Sequence, residues 1–242
     1  MSDLCRWLHD LLEQLPRFKY PFDPKRLPKN AIYFFYEKGE SWGHGGDRPR
    51  IVRIGTHREG NFRSRIAEHF LLNEARMNFD VAKPPPHDRS IFRKHIGRAL
   101  LIKDRDPYLS VFNIDFTTKR VLNTHGHQRD IDKERQIEAD ITRILRENFS
   151  FRFIALEGQA ERMGSEGLEA RLIGTLSRCN ECAPSSGWLG RYSPLEKLRQ
   201  SGLWLVQHLG ANALTERDKA RVLVAAQATK DWLKDQEERN AP

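Results

Sequence analysis

Four side chains in this sequence, Tyr33, Arg65, His69 and Glu169, are of types that suit phosphodiester hydrolysis. That reaction needs an activated water, charge stabilisation on the phosphoryl oxygens and help for the leaving oxygen. A planar guanidinium such as Arg65 engages two phosphate oxygens at once. An imidazole such as His69 exchanges a proton close to working pH. An aromatic hydroxyl such as Tyr33 needs nearby cations before it ionises. Arg65 and His69 are four apart, so both project from one face of a helix. The bland readings are that Tyr33 fills an aromatic cluster with Phe34, Phe35 and Tyr36, and that Glu169 is a surface helix carboxylate.

The elements that must position these groups follow from the hydrophobic pattern. Residues 31–36 (AIYFFY) and 51–54 (IVRI) are β-branched and aromatic enough to be strands, with Gly55 ending the second. The Gly-rich loop between them, with Gly39, Gly43, His44, Gly45 and Gly46, predicts an antiparallel hairpin. A helix is predicted from about 61 to 79, then a polyproline connection at 84–86, then a helix over 91–101 capped by Ser90. That second helix carries Arg93, Lys94, His95 and Arg98, read either as a phosphate-facing element or as a solvated basic face. Residues 104–127 read as irregular, 131–149 as an amphipathic helix, and 151–156 as a third strand. Glu169 stands beside the apolar stripe Leu168, Leu172, Ile173 and Leu176 of a further helix. Helical stripes also occupy 3–15 and the stretch from Thr215 to about 235.

The chain has 242 residues, 38% of them hydrophobic, enough for one good core. Its formal charge is +8, which points to a polyanionic partner. No apolar run approaches a membrane span, and the N-terminal residues have no secretory pattern. Three cysteines, an odd number, suit a reducing, cytoplasmic setting. Cys179 and Cys182 have zinc-finger spacing, but spacing argues against a metal because Cys5 is the only other cysteine.

The chain resembles the GIY-YIG nuclease superfamily, in particular a bacterial GIY-YIG-like subgroup. Ala31-Ile32-Tyr33 and Arg53-Ile54-Gly55 look like the two halves of the signature, with Ala31 for the first glycine and Arg53 for the second tyrosine. Arg65 with His69, and Glu169-Ala170-Arg171-Leu172-Ile173, look like the family's arginine helix and glutamate helix. The strings at 90–98 (SIFRKHIGR) and 187–194 (GWLGRYSP) also look like the subgroup. The resemblance implies an α+β fold: a small three-stranded antiparallel sheet flanked by helices. It divides the chain into an N-terminal helix and linker (1–29), a nuclease domain (30–209) and a C-terminal helix (210–242). It implies a metal-dependent endonuclease. Glu169 would anchor one Mg²⁺ or Mn²⁺, Arg65 would bind the scissile phosphate, and Tyr33 or His69 would activate water. The four are expected to meet over one small sheet, with Glu169 on the same side as Arg65. Arg53, His57, Arg58, Arg93, Lys94, His95 and Arg191 are the expected nucleic-acid contacts, with double-stranded DNA as the partner and the oligomeric state open. The alternative is a nucleic-acid-binding module that keeps the fold without the chemistry.

Overall fold

Six consecutive apolar or aromatic residues at 31–36 cannot belong to a strand with one wet face, and all six are buried. In the computed structural model, which describes residues 2–239, they begin β2 (Ala31–Ser41), an inner strand of an antiparallel sheet. The other strands are β1 (Phe18–Lys19), β3 (Pro49–Gly55) and β4 (Phe149–Ala155), in the spatial order β1-β4-β2-β3. The sheet therefore has four strands where the sequence pattern predicts three. The added one is short: Phe18 and Lys19, in the stretch before the first predicted strand, pair with Phe151 and Ser150.

The helices, in chain order, are α1 (Ser2–Glu13), α2 (Phe62–Phe70), α3 (Ile91–Lys103), α4 (Leu109–Phe112), α5 (Lys119–His125), α6 (Ile131–Asn148), α7 (Gln159–Arg162), α8 (Leu168–Ser177), α9 (Glu196–Ser201) and α10 (Glu216–Arg239). Side chains alternate across the sheet and feed two cores. On one face Tyr33, Phe35, Phe151 and Phe153 pack with Phe62, Ile66 and Phe70 of α2, Phe92 and Ile96 of α3, and Ile141 and Leu145 of α6. On the other, Ile32, Phe34, Ile54 and Ile154 pack with Leu8 and Leu12 of α1, Leu168 and Leu172 of α8, and Val222 and Ala226 of α10.

Two elements differ from the sequence pattern for local reasons. The second helix stops at Phe70 instead of running to 79, because Leu71 turns left-handed (φ 50°) and returns its N–H to the carbonyls of Ala67 and Glu68. Residues 104–127 hold the short helices α4 and α5, the latter capped by Thr118.

Strand β3 carries a bulge. Phe35 pairs with Arg53 and Tyr36 with Ile51, so Val52 is an extra residue and both Val52 and Arg53 turn toward the Tyr33 face. The outer edge of β3 is met by the segment after α9, where the Trp204 N–H donates to the Val52 carbonyl at 2.7 Å.

Just past the buried run, one Glu37 oxygen accepts the indole N–H groups of Trp188 (2.9 Å) and Trp204 (2.8 Å). Burial pushes its carboxyl up to about 7, while the indoles pull the other way. A folded pKa above the ordinary 4.5 means the folded state binds more protons across that window. Stability therefore falls as pH rises from about 4.5 through about 7. Glu37→Gln keeps an acceptor for both indoles and removes the charge. It is expected to be more stable than wild type by about 1–3 kcal/mol above neutral pH, with the gap closing toward pH 4.5. Urea unfolding of both proteins at mildly acidic and mildly alkaline pH measures this.

Candidate active site

The end of β3 is where the chemistry-bearing groups gather. Tyr33 pairs with Gly55 across the ladder, and its ring leans over the glycine. A Cβ at Gly55 would stand 2.4 Å from the Tyr33 hydroxyl oxygen, so only glycine leaves room for the phenol. That oxygen lies 3.1 Å from His69 Nε2, and His69 Nδ1 lies 2.8 Å from Ser90 Oγ. Ser90 caps α3, as the sequence predicts, and its hydroxyl also accepts the Arg93 N–H. Burial, then the positive charges of Arg65, Arg53 and Arg93, hold the His69 imidazole well below its ordinary pKa, so the ring is neutral.

The bulge sends Arg53 to the same place. Its guanidinium stacks 4.9 Å over the Phe92 ring and donates to the Trp204 carbonyl. Burial works against its charge, while the Tyr33 hydroxyl and the Glu169 carboxylate favour it. Glu169 reaches this group from α8, and the Thr56 N–H, just beyond Gly55, donates to its Oε1 at 3.0 Å. Burial raises its carboxyl above the ordinary value although Arg53, Thr56 and Arg162 all pull it down. The expectation that Glu169 and Arg65 share one side of the sheet needs correcting. Helices α2 and α8 flank opposite faces, and the carboxylate meets the other groups by coming round the end of β3.

A family model described as a GIY-YIG domain matches residues 3–229. The chain belongs to the GIY-YIG family. Such domains are typically endonucleases acting on nucleic acid with divalent metal ions. No curated protein and no solved structure matches the chain. No described helix is long and apolar enough to cross a membrane.

Of the remaining GIY-YIG site candidates, Arg65 stays partly exposed, at 29% of its side chain. Its Nη1 is held by Glu68 (3.2 Å) and the Arg89 carbonyl (2.9 Å). Among the described residues no protein hydrogen bond engages its Nε and Nη2, the edge a phosphate would meet. His69, by contrast, is fully buried, and Tyr33 beside it is only 1% exposed, so the imidazole meets the phenol and no solvent.

The basic stretch on α3 also departs from a phosphate-facing reading. Arg93 is wholly buried, with Nε and Nη2 on the Glu138 carboxylate and Nη1 on the His69 carbonyl at 3.0 Å. Lys94 donates to Asp88 (2.6 Å) and the Ile114 carbonyl (3.2 Å). His95 is buried, and burial pushes its pKa to about 3, leaving a neutral ring. The Arg93 counterion comes from α6 and that of Lys94 from the turn just before α3, so the run is paired inside the fold and does not face solvent. His57 is likewise structural: its Nε2 accepts the Ala31 N–H at 3.1 Å and its Nδ1 lies 2.6 Å from the Arg58 carbonyl. Arg58 itself is exposed on that loop. Arg191 is exposed but tied to the carbonyls of Ser185 (2.7 Å) and Pro184 (3.0 Å).

Two positioning residues carry no sequence signal. Arg162 of α7 is fully buried and donates to the His57 carbonyl (2.9 Å), Thr56 Oγ1 (3.3 Å) and Asn30 Oδ1 (3.2 Å). Asn30 also accepts the Gly60 N–H at 2.8 Å. Together they fix the loop whose Thr56 N–H holds Glu169. An isolated Arg or Asn in a loop gives no periodic pattern to read.

Proposed function

We propose that this GIY-YIG chain is an endonuclease that hydrolyses phosphodiester bonds in DNA with one divalent cation, Mg²⁺ or Mn²⁺, anchored by Glu169. The observation that carries the reading is the meeting of Glu169 with the Arg53–Tyr33–His69 group at the end of β3. One oxygen of Glu169 accepts Thr56 N–H and the other has no protein hydrogen bond among the described residues, which suits a hard cation completed by water and phosphate oxygens. When bound, that cation neutralises phosphate charge and assists the leaving oxygen.

The chain's own residues do the rest. Arg65 offers Nε and Nη2 to the phosphate while Nη1 stays anchored. Tyr33 is the group that orients the water, with its hydroxyl oxygen 3.1 Å from His69 Nε2. His69 is a neutral imidazole held by Ser90, and the Arg53 guanidinium lies beside the phenol. The net charge of +8 supports a polyanionic partner, because each neutralised phosphate releases counterions.

The second reading, a module that binds nucleic acid without cutting it, draws on Arg53, which stands in the signature's second tyrosine position next to Glu169. Plasmid cleavage with Mg²⁺ and with chelator separates the two: metal-dependent nicking is expected, and binding without any nicking would decide for the module. Arg65→Lys is expected to lower the cleavage rate about 100-fold, or about 2.7 kcal/mol of barrier, because a point charge cannot supply the fork. A rate within a few-fold of wild type would remove Arg65 from the phosphate site.

A further inference from the structure

A second cluster of chemically capable side chains lies away from the end of β3. Cys5 comes from α1, His44 from the β2–β3 hairpin loop, and Cys179 and Cys182 from the turn after α8. We propose that Cys5, His44, Cys179 and Cys182 form a structural Zn²⁺ site of the Cys₃His type, binding the metal ion independently of any nucleic acid.

The geometry fits that ion. Zinc–sulfur bonds of about 2.3 Å and zinc–nitrogen bonds of about 2.0 Å in a tetrahedron place sulfurs about 3.7–3.8 Å apart and sulfur about 3.5 Å from nitrogen. The Cys5 and Cys182 sulfurs are 3.7 Å apart, and Cys179 Sγ is 3.5 Å from His44 Nε2. The Cys179 thiol also interacts electrostatically with both other thiols, which places the third sulfur beside the first two. Three soft thiolates with one imidazole select zinc over the hard cation that suits a carboxylate.

The surroundings are those of a metal-binding histidine. His44 Nδ1 lies 2.8 Å from Glu181 Oε2, a carboxylate that fixes the tautomer and turns Nε2 toward the sulfurs. The Gly43 N–H donates to Cys182 Sγ at 3.5 Å. A Cβ at Gly43 would fall 1.7 Å from the Glu181 carbonyl oxygen, so glycine is what lets the hairpin loop close onto the Cys179–Cys182 turn. His9 also lies within the group, with its ligand atom within 4.8 Å of those of Cys5, His44 and Cys182. Its nitrogens are already used, Nδ1 at 2.9 Å from the Cys5 carbonyl and Nε2 accepting the Ile51 N–H at 3.1 Å. It therefore forms a wall of the site and is not a ligand.

Such an ion would add a metal crosslink to three segments that already touch through Arg6 and the His44 carbonyl, Gly43 and Cys182, and His44 and Glu181. Glu169 lies in the first turn of α8 and Cys179 follows its end, so the clamp would also hold the helix that presents the carboxylate.

The test uses the full chain, expressed with added zinc and purified under reducing conditions. Elemental analysis is expected to find about one zinc per chain. Replacement with Co²⁺ is expected to give the visible bands of tetrahedral cobalt with sulfur-to-metal charge transfer. Cys182→Ser and His44→Gln are expected to lose the metal, and His9→Gln to keep it. Should a variant fail to fold, wild type serves: chelator treatment is expected to lower Tm, and added zinc to restore it. Zinc below about a tenth of an equivalent, with no charge-transfer band on adding Co²⁺, overturns the proposal. So does an intact mass two hydrogens short, the mark of a disulfide, in the reduced preparation. Loss of zinc in His9→Gln but not in His44→Gln overturns the ligand set.

Discussion

Glu169→Gln is expected to abolish metal-dependent cleavage, by about 1,000-fold or more, while leaving the fold intact. The amide keeps an oxygen for the Thr56 N–H but is a far weaker ligand for a hard cation than a carboxylate. A thousandfold is about 4 kcal/mol of barrier, the range expected when a main charge-stabilising group is removed. The stability readout should move the opposite way. Burial raises the Glu169 carboxyl, so its ionised form is disfavoured in the folded state, and stability tied to its proton is lost as pH rises through the raised pKa. The amide removes that penalty, so Tm at neutral pH should be unchanged or higher. Cleavage by wild type should rise with pH as the carboxyl ionises, since only the carboxylate holds the cation. Kinetics of plasmid nicking across pH, beside thermal unfolding of both proteins, measure both effects. Full activity in Glu169→Gln would sink the assignment.

Glu138→Ala is expected to destabilise the chain by about 3–5 kcal/mol, because it leaves Arg93 charged, buried and without its counterion. For a chain of this size that lowers Tm by roughly 6–20 °C. Glu138 also accepts His87 N–H at 2.7 Å and faces His87 Nδ1 at 2.8 Å, so one truncation strands three partners. Burial alone would raise the Glu138 carboxyl, but Arg93 and His87 overrule it and hold it at about 2. Its folded pKa lies below the ordinary 4.5, so its contribution is whole above about pH 4.5 and is lost as pH falls through about 2. Replacing both partners, Arg93→Met with Glu138→Leu, should recover only the part due to the uncompensated Arg93 charge, because His87 and the His69 carbonyl stay without their partners. Denaturant midpoints for the two variants distinguish a broken ion pair from a simple loss of packing. Because Arg93 also holds the His69 carbonyl, Glu138→Ala should slow cleavage at temperatures where it is still folded.

What the sequence made legible was whatever depends on neighbours in the chain. The run at 31–36 was readable as a strand, Gly55 as a strand end and Ser90 as a cap, because each signal lies within a turn or a pleat. The four principal candidates were visible for the same reason, as residues set within short patterns. What stayed hidden depends on partners far along the chain. Arg93 looks like a surface cation until Glu138 is brought to it from α6. Cys179 and Cys182 look incomplete until folding adds Cys5 and His44. The passage of Glu169 round the end of β3, from a helix on the far face, follows from packing and has no local signature.

The outer rim of β3 has a bearing on how two copies could work together. Trp204 already supplies the N–H that a neighbouring strand would offer to Val52, and Arg53 is tied to the same segment through the Trp204 carbonyl. A second molecule could not lengthen the sheet from that side without prying this segment away. If severing both strands of a duplex calls for a pair of molecules, their contact has to be made away from the β3 edge, leaving each β3 undisturbed.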